Sequence, residues 1–147
     1  MSDLRDLYQE VIFDHNRNPR NSRAMADASH RADGHNPLCG DQITVYLKVE
    51  GGVIEDVSFE AHGCAISTAS ASLMTQALKG KRIDEVEALF GDFHKMTTSE
   101  TGASERLGKL AVLEGVREYP ARVKCATLAW HTLLAALEHN HQTATTE

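Results

Sequence analysis

Aromatic side chains are scarce in this sequence: four Phe, three Tyr and one Trp make up 5% of it. A core must therefore be assembled from Leu, Val, Ile and Ala. No apolar run approaches the roughly 18–20 residues that a membrane span requires. The N-terminal stretch Met1–Tyr8 carries Asp3 and Asp6 and lacks the apolar segment of a signal peptide, so the expected location is the cytoplasm. Cations are outnumbered, 15 Lys and Arg against 21 Asp and Glu, for a net charge of −6. That balance argues against nucleic acid as a main partner, because phosphate binding needs a basic face. A phosphate-cradling glycine motif and a nucleophile elbow are both missing. There is no internal repeat and no sign of a second domain. The 147 residues are read as one domain, 1–147, with a frayed polar tail over 139–147. At this size folding buries roughly 68–70% of the unfolded surface, enough for a core without disulfide staples.

What is present follows two periods. Leu4, Leu7, Tyr8, Val11 and Ile12 recur at helical spacing after Ser2, and the turn formers Asn16–Asn21 end that helix near His15. Ile43, Val45, Leu47 and Val49 alternate with polar residues, Gly51-Gly52 marks a turn, and Val53, Val57 and Phe59 resume the alternation. Strands joined so tightly are antiparallel. A weak third strand falls over 28–35. After Cys64 a small-residue helix runs from Ala65 to Leu78, with Gly80 just past its end. Ile83–Phe93 predicts another helix, 97–104 an exposed loop, and Leu107–Leu113 a short helix. Pro120 is read as a break, followed by a last helix through Leu128–Leu137. The fold class is α+β, a small antiparallel sheet of about three strands with helices packed on one face.

Only three cysteines occur, and they are far apart: Cys39, Cys64 and Cys125. Three cysteines cannot all pair with one another, and a reducing compartment keeps such residues as thiols. Each stands beside a turn or a predicted helix start, and Asp41 lies two residues after Cys39. A lone cysteine is most often core packing. Three thiols plus a carboxylate, however, form a complete four-coordinate donor set for zinc or iron. Cys64 and Cys125, placed before predicted helices, would feel the positive end of the helix dipole, which favours thiolate. A site with three thiolates and a carboxylate is negatively charged and calls for cations. Arg122 and Lys124 are two apart, and in an extended segment both fall on one side beside Cys125, where they balance that charge or meet an anionic sulfur species. His35 and His62 are competing ligands, each read first as a solvated loop residue; His131, His139 and His141 are read as packing, surface or tail.

Three motifs then stand together: Asn36-Pro37-Leu38-Cys39-Gly40-Asp41, Gly63-Cys64-Ala65-Ile66-Ser67, and Pro120-Ala121-Arg122-Val123-Lys124-Cys125 running on to Trp130. In this order they closely resemble the IscU/NifU N-terminal family of iron–sulfur cluster assembly proteins, and the likeness extends from Leu7-Tyr8 through most of the chain. Lys124 stands where IscU-type members usually carry histidine, and there are extra residues between the second and third cysteines. Both features look like the SufU branch. The resemblance implies an IscU-like fold and a Zn2+ site of Cys39, Asp41, Cys64 and Cys125. It implies a sulfurtransferase role: Cys39 accepts persulfide sulfur from a SufS-type cysteine desulfurase, with other SUF assembly proteins and apo-protein acceptors as further partners. The alternatives are a scaffold that builds a [2Fe–2S] cluster, or binds iron, on the same ligands, and a small domain held by purely structural zinc.

Overall fold

The computed structural model describes residues 2–37, 40–98, 105–138 and 144–145. In chain order the elements are α1 (Ser2–Arg17), β1 (His30–Asn36), β2 (Asp41–Glu50), β3 (Val53–His62), α2 (Ala65–Leu78), α3 (Ile83–Thr98), a 3₁₀ stretch (Glu105–Glu118), α4 (Pro120–Leu137) and β4 (Ala144–Thr145). Cys39, the side chains of Leu4, Leu7 and Tyr8, residues 99–104 and most of the expected tail lie outside the described residues. No described helix is long and apolar enough to cross a membrane.

β1, β2 and β3 form the expected three-stranded antiparallel sheet, with β2 central. Its register lines up two rows of the inner face: Ala32–Val45–Phe59 and Gly34–Ile43–Ala61. Because side chains alternate along a strand, these rows share one face, and their members are buried or half-buried against the helices. The opposite, polar face is crossed by the link between α1 and β1. There Arg23 pairs with Asp56 of β3 at 2.6 Å and Asp27 with Lys48 of β2 at 3.2 Å. Within the stretch expected to fray, Ala144 and Thr145 add a fourth strand parallel to β1. Two residues are too few to show an alternation in sequence.

α4 is the central helix of the core. It is buried on nearly every side, with Ala126, Leu128, Ala129, Trp130, Leu133 and Ala136 fully enclosed. Each fully buried large apolar side chain contributes roughly 1.5–3 kcal/mol. Trp130 stacks on Phe93 of α3 with ring centroids 4.8 Å apart. The helix lies so close to β1 that a Cβ at Gly34 would collide with the Thr132 hydroxyl. α2 is joined to its neighbours by serines: Ser70 Oγ donates to the Ala126 carbonyl at 2.6 Å, and Ser72 Oγ meets His15 Nδ1 at 2.7 Å.

Three expectations are corrected. Pro120 begins α4 instead of breaking the chain, since its fixed φ and missing N–H suit the first helical position. Thr97 and Thr98, expected in an exposed loop over 97–104, complete α3, and Thr97 is buried; the rest of that expected loop lies outside the described residues. The short helix over 107–113 is part of a 3₁₀ segment, Glu105–Glu118, that is broken at Gly108 (φ 53°, ψ −126°); Leu107 before the break and Leu110, Leu113 and Val116 after it are all buried. After the break, the three-residue spacing of Leu110, Leu113 and Val116 matches the 3₁₀ period.

Candidate metal centre

At one end of the sheet the inner face changes from apolar to polar. Asn36, the last residue of β1, pairs in register with Asp41, the first of β2. Both are fully buried, and a buried carboxylate needs donors to offset its lost hydration. Asp41 Oδ1 accepts the backbone N–H of Cys64 at 2.8 Å, and Asn36 Nδ2 donates to Oδ2 at 3.3 Å. The chain passes this carboxylate at Gly63, where a Cβ would overlap Asp41 Oδ1 and come within 3.0 Å of Asp41 Cα.

Cys64 is the N-cap of α2 in an extended conformation (φ −75°, ψ 165°). Its Sγ accepts the Ser67 N–H at 3.4 Å, the role usually filled by a serine or aspartate oxygen. Cys125 lies inside α4 and is 2% exposed. Asn36 Nδ2 also donates to its Sγ, at 3.5 Å. Donor atoms of Asp41, Cys64 and Cys125 all lie within 4.8 Å of one another. The Cys125 thiol beside it, followed by the Ser67 and Ile66 amides, lowers the Cys64 thiol to about 7, against burial and the Asp41 carboxylate, which push it up.

These residues suit a zinc ion. Tetrahedral coordination with Zn–S near 2.3 Å and Zn–O near 2.0 Å puts neighbouring donors roughly 3.5–3.8 Å apart. The Asp41 Oδ2 to Cys64 Sγ distance is already 3.8 Å. Two soft sulfurs and one hard oxygen, enclosed and supplied with amide donors, form three corners of such a site.

Of the residues expected from sequence, the fold brings together Asp41, Cys64 and Cys125, while Cys39 lies outside the described residues. Cys64 does cap a helix. Cys125 does not precede one: Pro120 starts α4 more than a turn earlier. For the same reason Arg122 and Lys124 do not share a side, since residues two apart on a helix point roughly 200° apart. Arg122 is exposed and its guanidinium covers the Tyr119 ring at 4.8 Å; Lys124 is half-buried. The Asn36, Cys64 and Ser67 N–H groups donate to the Asp41 carboxylate and the two sulfurs. His35 and His62 flank Gln42 in register on the polar face, turned away from Asp41. Asn36 was missed. The available signal was its position four residues after Ala32 on the inward phase of β1.

A family model, NifU-like N terminal domain, matches residues 7–142. The chain belongs to that family. It is 46% identical over 135 residues to the zinc-dependent sulfurtransferase SufU of Bacillus subtilis, covering 90% of each chain. It is 42% identical over 132 residues to the iron–sulfur cluster assembly scaffold protein IscU of Thermotoga maritima, covering 90% of this chain and 93% of that one. The crystal structure of a nitrogen-fixing NifU-like protein (N-terminal) from Brucella abortus superposes with a TM-score of 0.84 at 30% identity, over 91% of this chain and 94% of that one. The family resemblance read from the three motifs and the IscU-like α+β fold are both established by these matches.

Proposed function

We propose that this protein is a zinc-dependent sulfur acceptor in iron–sulfur cluster biogenesis, working in the cytoplasm as one domain over 1–147 with a SufS-type cysteine desulfurase. The observation that carries the reading is the enclosed group of Asp41, Cys64 and Cys125, in a chain whose relative from Bacillus subtilis is a zinc-dependent sulfurtransferase. Cys39 is the fourth ligand in this reading. Zinc bound to Cys39, Asp41, Cys64 and Cys125 would keep the thiols ionised and shield them from oxidation. The Cys39 thiolate then attacks the outer sulfur of the desulfurase persulfide. A new S–S bond forms at Cys39, the old one breaks, and the desulfurase cysteine leaves as a thiolate. Arg122 is exposed one helical turn before Cys125, on that side of α4, and meets the incoming anionic group. Asp41, a hard oxygen among soft sulfurs, is the corner that exchanges most readily.

Metal analysis of freshly purified protein, together with desulfurase turnover, tests this. One zinc per chain and loss of sulfur acceptance in Cys39→Ala are the expected results. Full stimulation of the desulfurase by Cys39→Ala overturns the assignment of Cys39. A second reading, a scaffold that assembles a [2Fe–2S] cluster on the same ligands, is favoured by the Thermotoga maritima relative, a scaffold protein. Stoichiometric cluster formation under anaerobic reconstitution, with transfer to an apo-ferredoxin, would select it.

A further inference from the structure

We infer that Asn36 is a positioning residue for the metal centre, its one side-chain amide holding both the carboxylate and the deepest thiol in place. The inference rests on the metal-binding reading above and on three observations. Asn36 is fully buried at the end of β1. Its Nδ2 reaches Asp41 Oδ2 at 3.3 Å and Cys125 Sγ at 3.5 Å. The other Asp41 oxygen, Oδ1, takes the Cys64 N–H at 2.8 Å.

An NH2 group carries two hydrogens, so it can serve an oxygen and a sulfur together. The pair of donors on Asp41 sets the rotation of the carboxylate: Oδ1 is tied toward the start of α2, and Oδ2 stands 3.8 Å from the Cys64 sulfur. Asn36 thereby links the strand that supplies Asp41 to the helix that supplies Cys125. The Nδ2 group thus stands between the carboxylate oxygen and the sulfur and donates to both. Groups that orient ligands in this way typically govern about 10–100-fold in metal affinity.

The test is zinc affinity by chelator competition, with the spectrum of the cobalt-substituted protein as a second readout. Asn36→Ala is expected to lose about 10–100-fold in zinc affinity. Its cobalt d–d bands shift as the carboxylate swings, while the thiolate charge-transfer bands persist. Asn36→Asp has the same shape but no N–H and an added charge, and loses more at neutral to mildly alkaline pH; it decides the matter if circular dichroism shows that Asn36→Ala does not fold. In an Asp41→Ala background the loss caused by Asn36→Ala shrinks, because much of it acts through Asp41. An unchanged affinity and cobalt spectrum, or a loss fully additive with Asp41→Ala, overturns the role of Asn36 while zinc binding by the unmodified chain stands. If the unmodified chain binds no zinc, the metal reading falls and this inference with it.

Discussion

Gly63 is the tightest point of the site. The backbone passes the Asp41 carboxylate with no room for a methyl group. Gly63→Ala must displace either the carboxylate or the Cys64 N–H that it accepts. The expected result is a stability loss of about 1–3 kcal/mol, the usual range for overpacking, together with weaker zinc binding; calorimetric titration and thermal melting measure both. At this scale the sequence was informative where chemistry is rare. Cysteine is the least common donor in the chain, and an aspartate two residues from one stands out. Asn36 was not legible, because a buried asparagine differs from an exposed one only through register, and register is a property of β1 and β2 together. The Arg122 and Lys124 pairing failed for a related reason: the sides they occupy depend on whether that segment is extended or helical.

At the scale of elements, α1 and α2 are joined through a buried histidine. Burial, then the nearby Arg20 guanidinium, lower the His15 imidazole from its usual 6.5, with Asp14 opposing. The unfolded chain takes up a proton near the ordinary value, while the folded chain resists it. The unfolded state then binds more protons, so stability falls as pH drops below about 6.5 and goes on falling until the lower folded value is passed. Urea midpoints should decline more steeply between about pH 7.5 and about pH 5.5 in the wild type than in His15→Gln, whose amide keeps a bond to Ser72 without titrating. A second element-level test is Gly34→Ala. The added methyl meets Thr132, and pushing α4 off the sheet should cost about 1–3 kcal/mol, read as a lower melting temperature. The alternating strands and the small-residue helix were readable because their periods persist over many residues. The 3₁₀ segment differs from the expected short helix because Leu107 lies across a break at Gly108, and Leu110 and Leu113 alone fit an α-helical face almost as well as a threefold one until Val116 is included. Pro120 was misread because proline ends one helix and begins the next with equal ease.

For the whole molecule, the metal centre sits at one end of the sheet, while the apolar core runs from Ile54 and Leu47 through Trp130 to Met96 without it. The metal-free chain should therefore stay folded and melt cooperatively. Free zinc at about 100 times its Kd stabilises by about 2.7 kcal/mol. At about 2–4 °C per kcal/mol for a chain of this size, that raises the melting temperature by about 5–11 °C. A chelated sample that shows no cooperative transition would instead favour zinc as a purely structural staple.

α4 both closes the inner face of the sheet and carries the last thiol. On the ribosome, a nascent chain that has emerged only as far as Tyr119 holds Asp41 and Cys64 against no opposing wall. Closing the inner face of the sheet and bringing the Cys125 sulfur to Asp41 and Cys64 thus depend on the same helix, α4.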